Sequence, residues 1–154
     1  MKVELEKVEP REIETRSFEI ITQEMGDKKL IPGTELIVKR CIHTSADFDY
    51  ADNLCFSANA VEKALNAIRE GACIVTDTQM AKAGINKKVL ARYGGEVYCF
   101  MSDEDVAEQA KARGTTRAVA SMEKAAGMNK KLIFAIGNAP TALIHLYEMI
   151  ENGI

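Results

Sequence analysis

The 154-residue sequence is poor in proline, with 3, and in histidine, with 2, and it carries no excess of basic charge. Each shortage excludes something. Prolines at Pro10, Pro32 and Pro140 alone, with no repeat and no low-complexity tract, leave no internal linker. With 20 Lys+Arg against 23 Asp+Glu, a formal charge of −3 and a pI of about 5.5, there is no broad positive field to hold a nucleic-acid backbone. Apolar runs such as Leu132 to Ile136 stop far short of the ~20 residues that cross a bilayer, so no membrane partner is expected. Cys41, Cys55, Cys73 and Cys99 never form a C-x-x-C pair, and His43 and His145 lie far apart. Zinc and dithiol chemistry are therefore disfavoured, no metal site is expected, and the thiols read as reduced. Neither glycine-rich phosphate loop nor the G-x-S-x-G elbow occurs.

What is present describes one compact domain over residues 1–154, since 47% hydrophobic positions suffice for one core in a chain too short for two ordinary ones. The segment Met1 to Glu14 is charged rather than signal-like, and a cytoplasmic setting is expected.

Apolar residues at Ile13, Phe18, Ile20, Ile21 and Met25 predict a helix from Pro10 to Met25, ended by Gly26-Asp27. Thr34 is placed to cap a second helix reaching Cys41 or Ile42. Beyond it, short apolar runs alternate with amphipathic stretches. Strands are predicted at Leu54 to Phe56, Cys73 to Val75, Glu96 to Met101 and Leu132 to Ile136. Helices follow them, capped at Ser57 or Asn59, from Gln79 to Ala83, opening at Ser102 to Asp105, and from Thr141 to Glu151. The alternation implies an α/β fold with a mainly parallel sheet and helices on both faces. Ligands of such sheets bind beyond the carboxyl ends of the strands. That rule selects Ser57 to Asn59, Thr76 to Met80, Met101 to Asp103 and Gly137 to Thr141.

Within Arg40-Cys41-Ile42-His43-Thr44-Ser45-Ala46-Asp47, His43 is the best acid/base candidate. An imidazole exchanges a proton near neutrality, and a positioned proton transfer contributes about 10² to 10⁴ in rate. The plainer reading is that His43 caps the helix or bonds Asp47. A triad of Ser45, His43 and Asp47 is disfavoured by its crowded spacing. His145 reads as an ordinary helix residue. Asp77 follows a strand directly and either positions a ligand or caps the next helix. Arg117, after Thr115-Thr116, offers a fork suited to carboxylates, although such an arginine is more often solvated. Gly137-Asn138-Ala139-Pro140-Thr141 joins a buried strand to a helix and offers backbone donors and a dipole end to an anion, or else forms only a tight, well-capped turn.

Several segments then coincide in order: Arg16-Ser17-Phe18, Ile42-His43-Thr44-Ser45-Ala46-Asp47, Thr76-Asp77-Thr78-Gln79-Met80, Thr116-Arg117 and Ala135-Ile136-Gly137-Asn138-Ala139-Pro140-Thr141-Ala142-Leu143. Together they resemble the precorrin-8X methylmutase family of cobalamin synthesis over nearly the whole chain. The resemblance implies a flavodoxin-like three-layer α/β/α sandwich, a homodimer, no organic cofactor, and a methyl shift between neighbouring carbons of a contracted tetrapyrrole. His43 matches the family's catalytic histidine. A many-armed carboxylate substrate would be held by Arg16, Arg40 and Arg117, with Ser45, Asp77, Thr78, Asn138 and Thr141 as further contacts. Met80 or Met101 would pack on the ring. Family members usually continue for several tens of residues beyond the last helix, whereas this chain stops at Ile154, so a shortened domain with an unpaired edge beside Leu132 to Ile136 is expected. The competing functions are a noncatalytic tetrapyrrole carrier and an unrelated anion or nucleotide binder.

Overall fold

The computed structural model describes residues 8–153; the first seven residues of the charged amino-terminal segment, and Ile154, lie outside the described residues. The chain divides into two compact units, one ending at Val61 and the other beginning at Glu62.

The first unit is helical: α1 (Ile13–Met25), α2 (Glu35–Ser45) and α3 (Tyr50–Asn53). Ile21 of α1 meets Val38 and Ile42 of α2, which are one turn apart on the same face, and Phe18, Leu54 and Phe56 close over them. α1 stops at Gly26, whose φ of +58° suits a residue without a Cβ. α2 runs longer than its spacing suggests and ends at Ala46 in the left-handed region, φ +57° and ψ +21°, a conformation that costs an L-residue about 1 kcal/mol. Thr34 precedes α2 but does not cap it by its side chain. Its backbone is already αR and its hydroxyl donates to the Ile31 carbonyl at 2.7 Å.

Leu54 to Phe56 corrects the first of the strand expectations: the segment is extended but pairs with no described strand. Leu54 and Phe56 point their apolar groups into the helical core, which produces the alternation a strand would also produce. The segment from Ser57 to Asn59 leads into α4 (Ala60–Arg69) through its backbone. Ser57 receives the Ala60 N–H on its backbone carbonyl, and Asn59 is left-handed at φ +58°.

The second unit carries β1 (Cys73–Thr76), α5 (Gln79–Gly84), α6 (Lys87–Ala91), β2 (Val97–Tyr98), α7 (Glu104–Arg113), α8 (Arg117–Ala126), β3 (Leu132–Ala135) and α9 (Pro140–Glu151). The strands form a parallel sheet in the order β2-β1-β3, so the fold is α/β with helices around a parallel sheet. Val75 lies opposite Tyr98 on one side and Phe134 on the other. These three side chains pack against Ala118, Met122 and Ala125 of α8 and Ala142 and Leu146 of α9. α5 and α6 contribute nothing to that cluster. Gly95 is required before β2, because a Cβ there would stand 2.4 Å from the Ala72 carbonyl oxygen and 2.9 Å from Leu90 Cδ1. β3 is an edge strand among the described residues, and α9 leaves Leu143, Ile144, Tyr147 and Ile150 exposed.

Candidate functional site

In the first unit, His43 lies in the last turn of α2, half-buried, and its ring meets Phe18 edge-on with centroids 5.9 Å apart. Its Nδ1 is 2.7 Å from Ser17 Oγ of α1. Both residues line an open groove of about 550 Å³ whose other walls include Arg16, Ile20, Glu24, Ala46 and Phe48. The groove is largely apolar, with a few polar groups converging on it, as small-molecule sites tend to be. With Nδ1 engaged, Nε2 has no hydrogen-bond partner among the described residues.

Asp47 is not the partner of His43. Its Oδ1 accepts the Asp49 N–H at 2.9 Å, which makes a local Asx turn. Ser45 likewise bonds locally, donating to the Cys41 carbonyl at 2.8 Å and accepting from the Asp47 N–H at 3.2 Å. The crowded triad therefore does not form. Arg16 is half-buried on the groove wall and pairs with Glu19 at 3.2 Å. Arg40 is exposed, bidentate to Glu14 at 2.7 and 2.8 Å, and stacked over Phe18 with 5.2 Å to its centroid. That fork hydrogen bond first, and the charge of Arg40 with it, hold the Glu14 carboxyl below its usual range.

Ser17 is the residue that sequence reasoning missed as a partner for His43. A signal was available, since Ser17 falls on the helical face of Ile13, Ile20, Ile21 and Glu24, where a hydroxyl interrupts an apolar stripe.

In the second unit, loops at the carboxyl ends of the strands converge as the sheet rule requires. Gln79 Nε2 reaches Ser102 Oγ at 3.2 Å, which ties the loop after β1 to the loop after β2. Thr78 caps α5 by accepting the Ala81 N–H at 3.1 Å, and Thr116 caps α8 by accepting the Val119 N–H at 3.2 Å. Thr116 and Thr141 place their hydroxyls 3.2 Å apart. Arg117, Asn138 and Thr141 are exposed, and Arg117 forms no ion pair with a described residue. Met80 is 85% exposed, whereas Met101 packs against the core and takes a hydrogen bond from Ser121 on its sulfur, so it is not free to cover a ring.

Asp77 overturns two expectations at once. It is 2% exposed, so its carboxylate does not open onto a crevice. Its Oδ2 accepts the N–H groups of Asn138 and Ala139, both at 2.7 Å, and its Oδ1 accepts that of Gly137 at 3.3 Å. The backbone donors expected to receive an external anion are thus occupied by an internal one. Burial pushes the Asp77 carboxyl up, but the hydrogen bonds from Ala139, Asn138 and Gly137 outweigh it and hold the group below its ordinary value. His145 lies on α9 with Nε2 3.0 Å from Glu123 and Nδ1 3.4 Å from Glu148. Glu123 is itself forked by Arg113, so this cluster knits α7, α8 and α9. No group of His, Cys, Asp and Glu able to hold a metal occurs among the described residues.

The features above define an α/β protein with a parallel sheet and a histidine-bearing apolar groove on a helical unit. Comparison with known proteins then specifies which. The family model described as Precorrin-8X methylmutase matches residues 12–154, and the chain belongs to that family. It is 44% identical to the cobalt-precorrin-8 methylmutase of Priestia megaterium, over 95% of this chain and 65% of that protein. It is also 44% identical to the cobalt-precorrin-8 methylmutase of Salmonella typhimurium, over 91% and 70%. A crystal structure of precorrin-8X methyl mutase from Thermus thermophilus superposes with a TM-score of 0.82 at 40% identity, covering 93% of this chain and 69% of that one. The chain spans about two thirds of the length of the curated relatives it matches.

Proposed function

We propose that this protein is an isomerase of cobalamin biosynthesis that moves a methyl group between adjacent ring carbons of precorrin-8X or cobalt-precorrin-8, giving hydrogenobyrinate or cobyrinate. The observation that carries the reading is the Ser17–His43 pair opening onto an apolar groove in a chain whose family is shown. His43 serves as general acid. In its protonated form Nδ1–H donates to Ser17 Oγ, and Nε2–H is presented to the macrocycle. Protonating or polarising the ring lowers the barrier to migration of the methyl, whose bond to one carbon breaks as its bond to the neighbour forms. Substrate and product are isomers, so no oxidant, reductant or external methyl donor enters.

The substrate's carboxylate arms fall to Arg16, Arg40 and Arg117, whose planar forks match carboxylates. Ser45, Thr78, Asn138 and Thr141 supply neutral hydrogen bonds, and Met80 an adaptable apolar contact. The reading carries with it a cytoplasmic setting and a homodimer, the latter supported by the exposed apolar row on α9. Sedimentation at the monomer's mass would remove the dimer.

The deciding experiment mixes the protein with purified precursor and follows absorbance. A spectrum that moves over time to that of the corrin is expected. An immediate, static shift would make the protein a carrier, and no shift at all would make it a binder of something else.

A further inference from the structure

In a sheet ordered β2-β1-β3, the chain leaves the central strand toward one neighbour and later returns to the other, and a ligand is ordinarily received at the carboxyl ends where these directions part. Here that place is filled from within. Asp77, the residue immediately after β1, gives its carboxylate to three successive backbone N–H groups after β3. It is buried and has no ion pair with a described Lys, Arg or His. The positive end of α9, which begins at Pro140, thus already faces an anion.

We propose that Asp77 is a positioning residue: acting through the backbone of Gly137 to Ala139, it fixes the loop that presents Asn138 and Thr141, and it denies that loop's donors to the ligand's carboxylates. The loop's own concavity, about 250 Å³ between Ile136, Asn138, Pro140 and Leu143, is consequently a seat for an uncharged, apolar edge of the ligand. This inference rests on the isomerase reading for the identity of the ligand, but not for the role of Asp77 in the loop.

The test uses Asp77→Ala and Asp77→Asn at temperatures well below their melting points, with cobyrinic acid as the probe and its absorbance as the readout. Asp77→Ala is expected to bind the corrin about tenfold more weakly, with KM rising more than kcat falls. Excess formate, a carboxylate small enough for the vacated space, is expected to restore the affinity. Asp77→Asn keeps one acceptor oxygen and is expected to fall between. Wild-type affinity in Asp77→Ala, loss of kcat alone, or no response to formate would each overturn the proposal. So would failure of both variants to fold, since Asp77 would then be needed for the fold itself. A wild type that ignores the corrin defeats the isomerase reading instead. Amide exchange then decides the role of Asp77: protection at Asn138 and Ala139 that disappears in Asp77→Ala and falls part-way in Asp77→Asn sustains it, and unchanged protection in Asp77→Ala ends it.

Discussion

The groove around His43 and the carboxyl edge of the sheet handle polar groups in opposite ways. At the sheet edge they saturate one another: Asp77 is consumed by three amides, Thr78 and Thr116 by helix caps, and Gln79 by Ser102. In the groove His43 has one hydrogen-bond partner among the described residues, Ser17, and stands half-buried beside apolar walls. Internally bonded groups such as Asp77 hold a shape and have no capacity left for a reaction, whereas Arg117, Asn138 and Thr141 stay exposed beside them. A ring with one nitrogen fixed and the other without a hydrogen-bond partner among the described residues keeps that capacity. On the proposed reading, this difference puts the chemistry on the helical unit and the positioning on the sheet unit.

The sharpest way to break this division is His43→Ala. Turnover is expected to fall by about 10² to 10⁴, with the melting temperature nearly unchanged because the residue is not a core anchor. Arg117→Ala, exposed and without an ion pair to a described residue, should instead raise KM and leave most of kcat. Normal turnover in His43→Ala would remove its role. The mirror-image experiment is Met122→Ala. Met122 is fully buried between the sheet and its helices, so its truncation is expected to cost about 2–5 kcal/mol and lower the melting temperature by roughly 5–15 °C. Corrin affinity measured below the transition should barely move. A large loss of affinity with unchanged melting would reverse the assignment.

The same contrast explains which features are legible in the sequence. Strands β1 and β3, α5 and α9 were legible because apolar runs flanked by Thr, Asp, Gly and Pro obey local rules. Leu54 to Phe56 misled because alternation records only which side is buried, and a helical core buries alternate residues of an extended segment as well as a sheet does. The expected strand from Glu96 to Met101 shrank to Val97–Tyr98, the two residues that pair with Ile74 and Val75 of β1. In the site, His43 was legible from its surroundings in sequence. Asp77 was legible as important but not as internal, because its partners lie about 60 residues away and are backbone amides that no side-chain pattern betrays. The Ser17–His43 contact spans 26 residues and joins two helices, so only the packing of α1 on α2 creates it.

That contact also provides the smallest and most discriminating test. If the groove's reactivity depends on which nitrogen of His43 is held, removing the holder should reduce the chemical step without affecting binding. Ser17→Ala is expected to lower kcat about tenfold, the 1.4 kcal/mol of one well-placed hydrogen bond, with KM nearly constant. Ser17→Thr keeps the hydroxyl at the same position on α1 and is expected to recover most of the loss. A merely structural serine would give a different pattern, since Ala, the better helix former, would be neutral or stabilising and kcat would be unchanged. If Ser17→Ala loses kcat and Ser17→Thr does not regain it, steric fit rather than the hydrogen bond orients the ring. The edge-on contact of Phe18 with the imidazole would then be the feature that distinguishes this groove from the saturated edge of the sheet.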